Sequence, residues 1–179
     1  MLHSGPMDIA ELLSDALGRV RDDLPGVVAG LDVDQLAWRP DDGSNSIAWL
    51  VWHLTRVEDD HLADVAGTEQ VWTAAGWYDR FGLPFAPEVH GWGQSADEVA
   101  QVRVAGDLLV GYHQDTAARA LEYVGGLTAD DLDRIVDERW DPPVTLGVRL
   151  VSVVNDATQH LGQAAYLRGL IDRGHASRD

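Results

Sequence analysis

Residues 145–169 have the sequence TLGVRLVSVVNDATQHLGQAAYLRG, and this stretch decides the fold. Its apolar residues recur at intervals of three and four, the spacing of a helix with one buried face. They are Leu146, Leu150, Val153, Ala157, Leu161 and Ala164. A narrow row of polar residues borders that face: Arg149, Ser152, Asp156, His160 and Gln163. The stretch therefore predicts a long helix that places polar groups at the edge of a core.

Three further segments have the apolar spacing and boundary residues of long helices, at residues 9–25, 46–66 and 95–124. Ser44, Asn45 or Ser46 can cap the second of them, and Ser95 with Glu98 forms a capping box at the third. No segment alternates as a strand would. We therefore expect an all-α, up-down four-helix bundle, with a short additional helix over residues 128–136.

A long connection follows the second predicted helix, over residues 68–94, and it is rich in aromatic residues: Trp72, Trp77, Tyr78, Phe81, Phe85 and Trp92. A connection of this length is typical of a binding loop or lid, and equally of a flap packed by its own side chains. If it forms part of a binding site, it should lie over or beside the polar row rather than at the opposite end of the bundle.

Composition limits the possible functions. The chain has 179 residues, 45% of them apolar, which suits one domain over residues 1–179 with residues 1–6 as a flexible lead-in. The net charge is −17 and there is no lysine, so neither nucleic acid nor an anionic membrane is an expected partner. The chain has no cysteine, so a reacting thiol must come from a cosubstrate. With no apparent signal peptide or membrane span, we expect a cytoplasmic protein.

Three side chains have the pattern of a metal site. Asp156 and His160 are four residues apart and so lie on one helix face, one turn apart. His53, in SIAWLVWHL at residues 46–54, lies at the edge of the apolar face of the second helix. Two imidazoles and one carboxylate form an open ligand set that leaves positions for water or substrate. The alternatives are ordinary core histidines and a helix-surface hydrogen bond. The acidic run at residues 58–60 is expected to be a solvated face.

These residues resemble the DinB-like superfamily of four-helix metalloproteins, and most closely its mycothiol-transferase-like branch. That superfamily includes the N-terminal domain of mycothiol-dependent maleylpyruvate isomerase. The resemblance is carried by residues 46–54 and by NDATQHLGQAAYLRG at residues 155–169. It implies that His53, Asp156 and His160 bind a divalent metal. The acidic ligand here is Asp rather than the Glu of the isomerase, and the second domain of the isomerase has no counterpart, so isomerase activity is not expected.

The resemblance implies a metal-dependent S-transferase that activates a low-molecular-weight thiol, such as mycothiol, for attack on an electrophile. Zn²⁺ is the expected metal, and Ni²⁺ or Fe²⁺ would also suit the ligands. Arg149 and Gln163 are candidates to anchor the thiol cosubstrate. One alternative is hydrolysis by metal-bound water, with Asp60 or His113 as the proton acceptor. The other is a non-catalytic bundle that binds a metal or small ligand. We expect a homodimer.

Overall fold

The structure, a computed structural model, describes residues 7–177, so the expected lead-in over residues 1–6 lies outside the described residues. Within that range it contains α1 (Ile9–Val28), α2 (Val33–Ala37), α3 (Ile47–Ala66), α4 (Val71–Ala74), α5 (Trp77–Phe81), α6 (Ala96–Val99), α7 (Gly106–Val124) and α8 (Leu146–Asp172). Two 3-10 helices, Ala129–Asp133 and His175–Ser177, and two strands, β1 (Ile135–Asp137) and β2 (Val144–Thr145), complete the fold. The prediction of an all-α protein built on four long helices, α1, α3, α7 and α8, is confirmed.

The two helices that carry the candidate metal ligands begin where their capping residues predict. The Ser46 hydroxyl accepts a hydrogen bond from the Trp49 amide at 3.1 Å and starts α3. Gly67 ends that helix in the left-handed conformation, with φ of 67°. The Thr145 hydroxyl accepts from the Val148 amide at 3.3 Å and starts α8, which continues three residues beyond Gly169. Local capping therefore fixes the register of both ligand-bearing helices.

Two predicted helix boundaries are wrong. The first helix does not fade at Pro25 but continues to Val28, because proline in the last turn removes one donor while its carbonyl still accepts from the Ala29 amide at 3.0 Å. The third helix does not run unbroken from the capping box. The box forms only α6, and α7 begins at Gly106. Between them Val102 and Val104 are buried in non-helical backbone, where alternation sends both side chains into the core.

The segment predicted as a short helix over residues 128–136 also differs from expectation. It forms a 3-10 helix and then β1, which pairs antiparallel with β2 so that Ile135 lies opposite Thr145. The partner strand β2 directly precedes α8, and the sequence around β1 gives no sign that β1 pairs with it. The ribbon matters for function because it brings Asp137 of β1 to α8.

The four long helices run up, down, down and up rather than in strict alternation. One apolar cluster joins the N-terminal halves of α1 and α8 to the C-terminal halves of α3 and α7. A second cluster joins the four opposite halves. The middle pair is parallel because residues 68–105 carry the chain back along the bundle before α7 begins. No helix within residues 7–177 is both long and apolar enough to span a membrane.

Two buried charged side chains of α3 fasten this long connection to the bundle. Arg56 is fully buried and donates to the carbonyl oxygens of Pro87 at 3.0 Å and Val89 at 3.3 Å. Asp59 accepts from the backbone amides of Val71 at 2.9 Å and Trp72 at 2.8 Å. Buried charges persist only when they are paired and hydrogen-bonded. The expectation of a solvated acidic face at residues 58–60 is therefore wrong, because Glu58 and Asp59 are both buried.

Glu58 and His113 form a second buried polar group, between α3 and α7. Both residues are 1% exposed, and His113 Nδ1 lies 3.9 Å from Glu58 Oε2 and 3.2 Å from the Thr55 hydroxyl. Neither carboxylate oxygen of Glu58 has a hydrogen-bond partner. Burial, together with the charge of Asp59, raises the pKa of Glu58 to about 8, and burial lowers the pKa of His113 to about 4. Both side chains are therefore neutral at pH 7.

We expect wild type to lose stability as pH rises toward 8, and Glu58→Gln to lack this loss. The folded protein holds the Glu58 proton up to about pH 8, whereas an unfolded chain releases it near the ordinary value of 4.5. The free energy of unfolding should therefore fall as pH rises through this window. Each pH unit costs at most about 1.4 kcal/mol, so wild type should lose about 2 kcal/mol relative to Glu58→Gln between pH 6.5 and 8.

Urea unfolding at a series of pH values measures this difference. Glu122→Gln is the matched control, because Glu122 is exposed on α7 and should leave the pH dependence unchanged. Parallel stability curves for wild type and Glu58→Gln would show that Glu58 is ionised in the fold.

Candidate metal centre

The three predicted metal ligands come together between α3 and α8. His53, Asp156 and His160 each offer one ligand atom, and these atoms all lie within 4.8 Å of one another. His160 Nε2 is 3.5 Å from Asp156 Oδ1. Ligands held about 2.1 Å from one cation are roughly 3–4 Å apart, so this pair already has ligand spacing. The i, i+4 spacing on α8 and the packing of α3 against α8 create the cluster.

Each histidine has one ring nitrogen already engaged, which frees the other for a metal. His53 Nδ1 donates to the backbone carbonyl of His90 at 2.5 Å, and His160 Nδ1 donates to Gln163 Oε1 at 3.0 Å. Such partners fix the ring and its tautomer in metal sites, leaving Nε2 as the ligand. Asp156 Oδ2 is buried and has no hydrogen-bond partner. The donor set therefore fits a divalent cation, which would satisfy the unpartnered oxygen.

Aromatic and glycine contacts hold His53 in place. The Trp49 ring stacks on His53 with centroids 4.5 Å apart, and its indole nitrogen donates to Gln94 at 2.7 Å. Gly91 lies against the imidazole with φ of +100°, and a Cβ there would come within 2.7 Å of His53 Nδ1. Glycine is therefore required at position 91 both for its conformation and for the space that the ring occupies.

The protonation of the two histidines is set by different causes. Burial lowers the pKa of His53, so its imidazole is neutral and available to a cation. The hydrogen bond with Asp156 raises the pKa of His160. A cation at this centre must therefore displace a proton from the His160–Asp156 pair in mildly acidic solution, and metal affinity should fall as pH falls.

A cavity of about 490 Å³ opens beside His53 and Asp156. Its other lining residues are Val57, Asp60, His61, His90, Trp92, Asp137, Arg139, Trp140, Arg149 and Ser152. Arg149 donates to Asp137 Oδ2 at 3.1 Å and lies 3.1 Å from His61 Nδ1, while its buried Nε has no hydrogen-bond partner. Arg139 binds the same Asp137 carboxylate. The wall of the cavity therefore combines two guanidinium side chains, those of Arg139 and Arg149, with two indole rings.

Of the other predicted site residues, two line the cavity and two lie outside it. Asp60 and Arg149 line the cavity, and Asp60 accepts from Gln70 at 2.8 Å. Gln163 lies outside this cavity, where it positions His160. The expectation for His113 needs correction, because it lies in the interior beside Thr55 and Glu58, on the face of α3 turned away from His53. Within the described cavity, His113 cannot accept a proton.

The aromatic connection divides into two parts. Trp72, Trp77 and Phe81 are buried and pack around Tyr112 of α7, as a structural flap would. Residues 90–94 lie against the ligand cluster, as a binding loop would. The first part therefore packs as a structural flap, the last part lies beside the cluster as expected of a segment that contributes to the site, and its binding role stays a prediction.

Several residues of the site were not predicted. The His90 carbonyl is a backbone group and leaves no trace in residue identity, and Asp137 directly follows the segment over residues 128–136 predicted as helical. The one available signal was Trp92, a large apolar residue enclosed by Gly91 and Gly93 in a loop. Glycine on both sides is typical of backbone that must approach another group closely.

We expect Gly91→Ala to weaken metal binding by roughly tenfold, because its Cβ would displace the His53 imidazole and its orienting hydrogen bond. Gly93→Ala is a matched control, since Gly93 also has positive φ, +75°, but has no atom within 4 Å of a Cβ position. Zinc titration with a competing chelator measures both affinities. Equal affinities in the two variants would mean that the Gly91 contact does not control the centre.

Comparison with known proteins identifies the family of this chain. Residues 12–173 match the family model described as mycothiol-S-transferase. Among solved structures, the chain is similar to a crystal structure described as the conserved protein of locus from Enterococcus faecalis. The two share 31% sequence identity and a TM-score of 0.85, over 92% of this chain and 98% of that one. A search of curated proteins found no match. The match over residues 12–173 establishes that this chain belongs to the mycothiol-S-transferase family.

Proposed function

We propose that this protein is a metal-dependent thiol S-transferase that uses mycothiol or a similar low-molecular-weight thiol. One observation supports it above the others: three side chains of a metal-ligand type, one with an unpartnered buried oxygen, cluster together in a member of this family, and two of them, His53 and Asp156, line a cavity. Two neutral imidazoles and one carboxylate cancel only one unit of a divalent charge. When bound there, Zn²⁺, or alternatively Ni²⁺ or Fe²⁺, would supply the positive charge that favours a thiolate over its thiol.

The residues of the chain provide the remaining requirements of the transfer. Asp60, at the cavity wall, would accept the proton that the thiol loses. Arg149, in the cavity wall, and Gln163, next to His160, would anchor the thiol or its partner beside the cluster. The thiolate sulfur then forms a bond to the electrophilic carbon, and the leaving group departs with its bonding electron pair. Because the chain has no cysteine, the sulfur comes from the cosubstrate.

We expect His160→Ala to lose most bound metal and, with it, S-transfer activity, because one of three ligands and the partner of Asp156 are removed. The readouts are metal per chain in protein purified without a histidine tag, and consumption of mycothiol with chlorodinitrobenzene, which releases chloride. A loss of tenfold or more is expected. His175→Ala is the control, because His175 is exposed and far along the chain from the cluster.

Equal metal content in His160→Ala and wild type would show that His160 does not coordinate a metal. A fully metallated wild type that hydrolyses esters without using thiol would favour the hydrolase alternative. Metal binding with neither reaction would leave a non-catalytic binding bundle.

We further propose a cytoplasmic homodimer that binds no nucleic acid. A charge of −17 repels nucleic acid and also repels a second copy, except where the surface carries no charge. The exposed residues of α8 between Val148 and Tyr166 form such an uncharged strip: Val148, Val151, Ser152, Asn155, Thr158, Gln159, Gly162, Gln163, Ala165 and Tyr166. A twofold contact would pair this strip with itself.

We expect Val151→Glu to convert the dimer to a folded monomer, because Val151 is 67% exposed and a new carboxylate would face its own copy. Sedimentation velocity at tens of micromolar measures the association. Ala118→Glu, at an exposed position of α7, is the control and should remain dimeric. A monomeric wild type would contradict the proposal.

A further inference from the structure

Two tryptophans of this chain differ from the rest in their exposure. Trp92 is 86% exposed and Trp140 is 66% exposed, whereas the other five are buried or half-buried. Both exposed rings line the cavity that contains His53 and Asp156. They come from separate connections, one before α6 and one between β1 and β2. Two exposed indoles at one cavity, from distant parts of the sequence, mark it as a surface for a ligand.

An indole carries a large apolar area, and a protein gains stability by burying it. Neither ring has an aromatic partner among the ring contacts of the described residues. Trp92 is also held at a defined place, because the adjacent His90 carbonyl binds His53 and Gly91 packs on the same imidazole. The anchored backbone at residues 90 and 91 therefore places the attachment point of the Trp92 side chain beside the cluster.

The polar groups of the cavity indicate the charge of that ligand. Arg149 Nε and His90 Nδ1 are buried and have no hydrogen-bond partner. Arg139 and Arg149 share the single carboxylate of Asp137. With a divalent cation at the cluster, two guanidiniums and the cation outweigh the three lining carboxylates, Asp60, Asp137 and Asp156, by one unit. With that cation bound, the site would be locally positive in a strongly acidic protein, which would favour an anionic group.

We propose that the electrophile of this transferase is a planar aromatic acid, with its ring against Trp92 and Trp140 and its carboxylate at Arg149. The inference rests on the proposed function, and it names the substrate class of the same site. The cavity, about 490 Å³, has the size of ordinary small-molecule sites and accommodates a substituted ring. Aromatic contacts on the ring and a charge-assisted hydrogen bond at the acid are the interactions that these residues offer.

The test compares a reactive aromatic acid, chloronitrobenzoate, with a small neutral alkylating agent, iodoacetamide. In both reactions the mycothiol sulfur forms a bond to carbon and a halide leaves with the bonding pair. We expect Trp92→Ala and Trp140→Ala each to raise KM for chloronitrobenzoate by roughly three- to tenfold. The KM for mycothiol and the turnover of iodoacetamide should stay within about twofold of wild type. Leu12→Ala, at an exposed position of α1, is the control.

A binding measurement gives a second readout that is independent of turnover. Calorimetric titration of zinc-loaded protein with unreactive nitrobenzoate should show weaker binding in both tryptophan variants. Arg149→Gln should reduce the preference for nitrobenzoate over neutral nitrobenzene. Metal content of the two tryptophan variants should equal that of wild type, because neither indole is a ligand.

The outcomes separate the two proposals. Turnover of iodoacetamide but neither turnover nor binding of the aromatic acids would overturn the substrate assignment and keep the transferase. A rise in KM for mycothiol instead would show that the indoles hold the thiol, and would also overturn it. No thiol consumption with any electrophile, by fully metallated protein, would overturn the proposed function itself.

Discussion

The candidate site depends on one hydrogen bond, from His53 Nδ1 to the carbonyl oxygen of His90. It fixes the imidazole tautomer and so leaves Nε2 free to face Asp156 and His160. It also ties the end of the long connection to α3, because His90 is 37 residues away along the chain. Gly91 and Trp92 follow directly, so the same contact places the glycine on the ring and the indole at the cavity. The orientation of the His53 imidazole and the shape of the cavity wall therefore depend on the same contact.

That contact holds because the connection is fastened just upstream by buried charges. Arg56 binds the carbonyls of Pro87 and Val89, and Asp59 binds two backbone amides at the start of α4. Removing one partner from such a buried network costs about 3–5 kcal/mol, because the remaining charge is left uncompensated. The connection therefore forms a wall of the site and is fastened to α3, the helix that also supplies His53. The helix α3 therefore contributes His53 to the candidate metal cluster and directs Arg56 and Asp59 to buried contacts with the connection.

The charge of the cavity contrasts with that of the whole chain. The net charge is −17, yet Arg139 and Arg149 meet at the edge of the metal cluster. Asp137 holds them there, and its hydrogen bonds with Arg139 keep the pKa of that carboxyl well below its usual range. This carboxylate therefore remains charged at neutral pH. The arginine pair is brought together by the small ribbon, since β1 supplies Asp137 and α8 supplies Arg149.

Sequence alone predicted the four long helices, a cap among residues 44–46 for α3, and the three candidate metal ligands, because helical periodicity and i, i+4 spacing are local properties. It could not reveal that α3 and α7 run parallel, that β1 pairs beside α8, or that Glu58 and Asp59 are buried. Those features follow from where the returning chain packs, and an acidic run looks the same in sequence whether it meets water or a backbone amide. Only the tertiary structure shows that His113 lies away from the cluster and that the His90 carbonyl, Trp92 and Trp140 lie beside it. Contacts between distant segments depend on packing, and packing has no period in the sequence.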